Sequence, residues 1–63
     1  MEMSKDKKWV VKVFGSHYID WNYELTRDRS KAQEYNKKIF AVELGNQAML
    51  WHSNWKPIMV VQE

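Results

Sequence analysis

Two serine–histidine pairs are the residues best suited to chemistry in this chain: Ser16-His17 and His52-Ser53. A hydroxyl beside an imidazole is the raw material of nucleophilic catalysis, which also needs a third group to orient the base. Adjacency in sequence rarely produces that geometry. His17 reads as a turn residue. His52 reads as the end of a helix, where an imidazole favours the dipole. Asp20, Asn22 and Glu24 form a second candidate set, spaced along one face of a strand. A lone carboxylate row is more often a solvated face than a cation site. With no cysteine and two histidines, thiolate and His-only metal sites are excluded. The two glycines, Gly15 and Gly45, are too few and too far apart for a phosphate loop. The reading is a non-enzymatic protein with no cofactor and no metal.

Binding is the better-supported chemistry. Lys5, Lys7 and Lys8, then Arg27, Arg29 and Lys31, then Lys37 and Lys38 make three short basic clusters. Aromatic residues on a sheet could stack bases between them. Acids interrupt the clusters (Asp6, Asp28, Glu34), and the net charge is only +2 with a pI near 9.0. This is weaker than the basic stripe of a dedicated nucleic-acid binder. Nucleic acid therefore stands as the alternative partner and a protein as the first.

These residues need a scaffold, and 63 residues make one domain. A chain this short buries about 60% of its unfolded surface. Four Trp, three Tyr and two Phe supply core bulk in place of disulfides. A homodimer is the other route to stability. Residues 1–8 are charged and read as a flexible terminus preceding a domain at 9–63. No apolar run of about 7–15 residues follows them, so no secretory leader is expected. No stretch of about 18 apolar residues suggests a membrane span. A cytoplasmic location is expected from these features and the lack of cysteine.

The elements follow from periodicity. Residues 9–14 (WVVKVF) are β-branched and aromatic, which predicts a first strand. Residues 17–25 alternate: His17, Ile19, Trp21, Tyr23 and Leu25 against Tyr18, Asp20, Asn22 and Glu24. This predicts a second strand with one buried face. A three-residue loop Gly15-Ser16-His17 would pair Val13 with Ile19, Val11 with Trp21 and Lys12 with Asp20, keeping apolar residues together. Ser30 and Gln33 have capping-box spacing for a short helical turn. Asn36 is a cap candidate for a helix over about 37–53, with Phe40, Leu44, Ala48, Trp51 and Trp55 on its apolar face. Gly45 weakens that helix by about 1 kcal/mol but permits close packing on the sheet. Pro57 begins a third strand over 58–61. The expected architecture is α+β: a two-layer ββαβ domain, a three-stranded antiparallel sheet in order 2-1-3 with one main helix on one face.

One helix cannot cover both faces of a sheet. The outer face would then expose Val10, Lys12, Phe14 and Tyr18, with Arg27 and Arg29 at the rim. Exposed aromatics beside a cation are typical of interfaces, and these six residues are the expected partner-binding surface. Self-association through the same face is a further reading.

The chain also resembles short accessory proteins encoded by phages and prophages of Gram-positive bacteria. The resemblance rests on Trp9-Val10-Val11-Lys12-Val13-Phe14-Gly15, Tyr18-Ile19, Leu25-Thr26 with Asp28, Lys31-Ala32, and residues 58–61. Those proteins often place Gly-Gly before the last strand, where this chain has Trp55-Lys56-Pro57. The resemblance implies a protein of the host cytoplasm that binds and inhibits or modulates a host macromolecule, such as a nuclease, a CRISPR effector or a replication enzyme.

Overall fold

The computed structural model describes residues 7–63. The elements are β1 (Trp9–Val13), β2 (His17–Ile19), β3 (Leu25–Thr26), α1 (Lys38–Trp51) and β4 (Ile58–Gln62). One turn of 3₁₀ helix, Arg29–Lys31, lies between β3 and α1. The sheet is antiparallel in the order β3-β2-β1-β4, with α1 packed on one face. The α+β class matches the sequence reading, and β1 lies between β2 and the closing strand as expected. The strand count differs: four strands, not three.

The extra strand comes from a break inside 17–25. The Asp20 carboxylate accepts hydrogen bonds from the backbone N–H of Asn22 (2.8 Å) and Glu24 (2.9 Å). The Tyr23 N–H donates to the Asp20 carbonyl at 3.0 Å, and Tyr23 takes a left-handed φ of 62°. An Asp that bonds its own downstream backbone offers the chain a turn in place of a ladder. The Asp20 N–H then donates to the Glu24 carbonyl at 2.9 Å and closes a second hairpin. Trp21 and Tyr23 therefore stand on a turn, not on a buried strand face.

The first hairpin also slides. Val13 pairs with His17 and Lys12 with Tyr18, so the three loop residues are Phe14, Gly15 and Ser16. The expected pairs Val13–Ile19, Val11–Trp21 and Lys12–Asp20 are not formed. Phe14 and Gly15 both adopt positive φ (61° and 74°), which starts the turn one residue early. The slip is by two positions, so the side chains of β1 and β2 keep their faces.

The inner layer joins Val11, Val13 and Ile19 to Ala41, Leu44 and Ala48 of α1. Gly45 packs there as well. A Cβ at that position would lie 3.4 Å from Ile58 Cγ2 and 3.9 Å from Val11 Cγ1. Helix α1 starts at Lys38 with no side-chain cap, and Asn36 instead accepts a hydrogen bond from the Lys8 ammonium. The 3₁₀ turn is capped by Asp28, whose carboxylate accepts from the Ser30 N–H (3.0 Å) and hydroxyl (2.6 Å). This takes the place of the expected Ser30–Gln33 box.

The outer face is covered from within the chain. Val10, Tyr18 and Ala32 form a second buried cluster, with Val61 against it. Ala32 bridges to Asp20, and Trp9 and Tyr35 exchange backbone hydrogen bonds of 2.7 and 3.0 Å. Gln33, buried, donates its side-chain N–H to the Asp20 carbonyl at 2.8 Å and accepts from the Tyr35 hydroxyl. Residues 1–6, most of the expected flexible terminus, lie outside the described residues. Lys8 is held: it exchanges both backbone hydrogen bonds with Glu63 at 2.8 Å.

Candidate functional site

The expected partner surface divides once it is folded. Val10 is fully buried and Tyr18 is 8% exposed. This corrects the picture of an open outer face. Phe14 is half exposed on the first turn, edge-on to the His17 ring at 6.1 Å. Arg27 is exposed beyond β3. Lys12, Tyr18 and Arg29 do come together, around a residue that sequence reading passed over.

That residue is Glu63. Its carboxylate accepts from the Tyr18 hydroxyl at 2.7 Å and pairs with Lys12 Nζ at 2.9 Å and Arg29 Nε at 3.4 Å. Arg29 also donates to the Glu63 carbonyl (3.0 Å) and pairs with Glu34 (3.2 Å). Both cations lie over the Tyr18 ring, at 5.5 and 6.0 Å from its centroid. The bond from Tyr18, then that from Lys12, holds the Glu63 carboxyl below its ordinary range. The same bond, with burial, raises the Tyr18 phenol. Contact with Glu63 also raises the Lys12 ammonium. These groups satisfy one another, and the cluster works as a clasp between β1, β2 and the end of β4.

The exposed aromatic surface lies elsewhere, along the flank of α1 nearest the β2–β3 turn. Trp21 (62% exposed) meets Tyr35 edge-on at 6.0 Å, and Tyr35 meets Phe40 at 6.1 Å. Tyr23 meets Trp51 at 5.2 Å. Between them is a shallow cleft of about 150 Å³ lined by Tyr23, Tyr35, Phe40, Glu43, Leu44 and Gln47. Phe40, Glu43, Leu44, Gln47 and Trp51 share one flank at helical spacing. The turn clasped by Asp20 supplies Trp21 and Tyr23. Burial, and then the neighbouring Tyr23, raises the Tyr35 phenol.

Periodicity assigned Phe40 and Trp51 to the buried stripe of α1 and Trp21 and Tyr23 to a buried strand face. Only Leu44 and Ala48 of the expected stripe are buried; Phe40 is 50% and Trp51 58% exposed. The available signal was Asp20 and Asn22 inside the alternating run, since both favour turns.

Ser16 Oγ and His17 Nδ1 lie 2.8 Å apart on the exposed first turn. Among the described residues no carboxylate bonds His17, so the orienting third group of a catalytic set is missing. His52 stacks on Trp55 at 3.9 Å. Among the described residues no group of three or more His, Cys, Asp or Glu is placed to hold a metal. None of their helices is long and apolar enough to cross a membrane.

Fold and surface together define a small α+β domain with an internally satisfied polar clasp and an open aromatic cleft. Compared with known proteins, the chain matches no family model, no curated protein and no solved structure.

Proposed function

We propose that this chain is a non-enzymatic binding protein that holds a protein partner at the aromatic cleft. The observation that carries the reading is the cluster of Trp21, Tyr23, Phe40 and Trp51, each at least 39% exposed and touching another aromatic ring. Contiguous exposed aromatics mark interaction surfaces, and binding hot spots are enriched in Trp and Tyr. The cleft's polar lining includes Glu43 and Gln47, which suits a basic side chain of a protein better than a phosphate. Arg29 and Lys12 are already committed to Glu63 and Glu34, which weakens the nucleic-acid reading. The resemblance to phage accessory proteins supports a host macromolecule as the target and inhibition or modulation as the outcome.

The test is capture from bacterial lysate by the intact chain and by Trp21→Ala/Trp51→Ala, with and without nuclease. The expected result is a protein bound by the first, lost by the second and unaffected by nuclease. Equal capture by both chains would remove the cleft from the reading. Capture abolished by nuclease, with affinity falling steeply with salt, would favour the nucleic-acid alternative.

A further inference from the structure

We infer that the free edge of β4 pairs antiparallel with the same edge of a second copy of the chain, making one continuous sheet across a two-fold axis. The inference concerns a different surface from the aromatic cleft and does not depend on it.

Backbone geometry provides the first argument. Lys8 and Glu63 exchange both hydrogen bonds, and the Phe14 N–H donates to the Pro57 carbonyl at 2.9 Å. Hydrogen-bonded and non-hydrogen-bonded pairs alternate along an antiparallel ladder. Val10–Val61 and Lys12–Met59 are therefore the bonded pairs, and Trp9–Gln62, Val11–Val60 and Val13–Ile58 are not. The Trp9–Tyr35 bonds agree, since Trp9 points its backbone away from β4. Ile58, Val60 and Gln62 consequently aim their N–H and C=O groups outward. Among the described residues β4 has no neighbour on that side, and no hydrogen bond from them reaches those groups.

Composition provides the second. Natural edge strands are protected by charge, proline, bulges or shortness. The opposite edge, β3, has two residues. Strand β4 has five, Ile58-Met59-Val60-Val61-Gln62, with no charge and no proline. Such a strand is complementary to itself. Centred on Val60, antiparallel pairing joins Ile58 to Gln62, Val60 to Val60 and Gln62 to Ile58 of the second copy, which engages all the outward groups. Met59, 51% exposed, then falls opposite Val61, and Glu63 opposite Pro57. No like charges meet.

The helix provides the third. A two-fold axis normal to the sheet puts both helices on one side. Val42 and Met49 are seven residues apart, on the flank of α1 turned away from Phe40, Glu43 and Gln47. That flank lies toward β4, because the cleft flank lies toward β2 and β3. Met49 is 42% exposed there and would face its counterpart.

The chain is short enough for total synthesis, so the edge can be blocked without altering a side chain. N-methylation of the Val60 amide removes one outward donor and leaves the β1 ladder intact. Sedimentation equilibrium across a concentration series should show a monomer–dimer equilibrium for the unmodified chain and monomer for the N-methyl chain. Met59→Lys, which adds an edge charge at an exposed side chain, should weaken dimerisation at least tenfold. Trp51→Ala should not change it. With rising concentration the amides of Ile58, Val60 and Gln62 should gain hydrogen-exchange protection. An unmodified chain that stays monomeric into the millimolar range would overturn the inference. So would a dimer that survives both edge changes, or one in which those three amides stay unprotected.

Discussion

The Tyr18 hydroxyl donates to the Glu63 carboxylate at 2.7 Å across 45 positions of sequence. The bond ties the short strand β2 to the residue just past β4, over the intervening β1. Lys12 of β1, directly opposite Tyr18, completes it at 2.9 Å, so one carboxylate joins β1 and β2 to the end of β4.

Stability should therefore fall at both ends of the pH scale. Glu63 has a lowered folded pKa. Its contribution is present above its unfolded value, about 4.3, and is lost as pH falls through the folded value. Tyr18 and Lys12 have raised folded pKa values. Their contributions are present below their unfolded values, about 10 to 10.4, and are lost as pH rises through the folded ones. Urea unfolding from pH 2 to 11 should show both limbs. Glu63→Gln should flatten the acid limb; an unchanged acid slope would show that the clasp does not govern it. Tyr18→Phe should cost about 1 kcal/mol near neutrality.

Asp20→Ala should loosen the second hairpin. Two backbone donors lose their acceptor at exposed positions, for an expected cost of about 1–2 kcal/mol. Trp21 and Tyr23 would lose their placement together, so indole fluorescence should shift to the red. Asp20→Asn keeps an acceptor oxygen and should retain most of the stability. Equal losses in both variants would mean that charge, not the turn bond, matters.

Gly45→Ala should be tolerated and should stabilise by up to about 1 kcal/mol. The new methyl would meet Ile58 Cγ2 at 3.4 Å, an ordinary contact. Gly45→Leu cannot fit between α1 and the sheet and should destabilise by about 1–3 kcal/mol. Thermal unfolding of the two variants should move in opposite directions.

A double-mutant cycle on Tyr23→Ala and Trp51→Ala should return a coupling of about 0.5–1.5 kcal/mol. The rings lie 5.2 Å apart and belong to the turn and to α1. Additive effects would mean that the two rings do not hold the cleft together in solution.

Much of the architecture is legible in the residues. The apolar run of β1, the helical spacing of Leu44 and Ala48, and the β-branched closing strand each follow from local pattern. Side-chain faces survived even where register did not, because a two-residue slip preserves parity. The candidate site was less legible. Apolar alternation at Ile19, Trp21, Tyr23 and Leu25 describes one long strand as well as two short strands with aromatics on the turn between them. Glu63 carried no local signal at all, since its partners lie at positions 12, 18 and 29.

By itself, then, the sequence determined the α+β class, the central place of β1 and the absence of cysteine chemistry, all of which depend on composition and short-range periodicity. Only the tertiary structure decided which aromatics are buried. Helix α1 covers one face and residues 28–35 complete the other, so Val10 and Tyr18 are enclosed while Trp21, Phe40 and Trp51 are left outside. That outcome depends on which distant segments pack on each face of the sheet, and short-range periodicity does not encode those contacts.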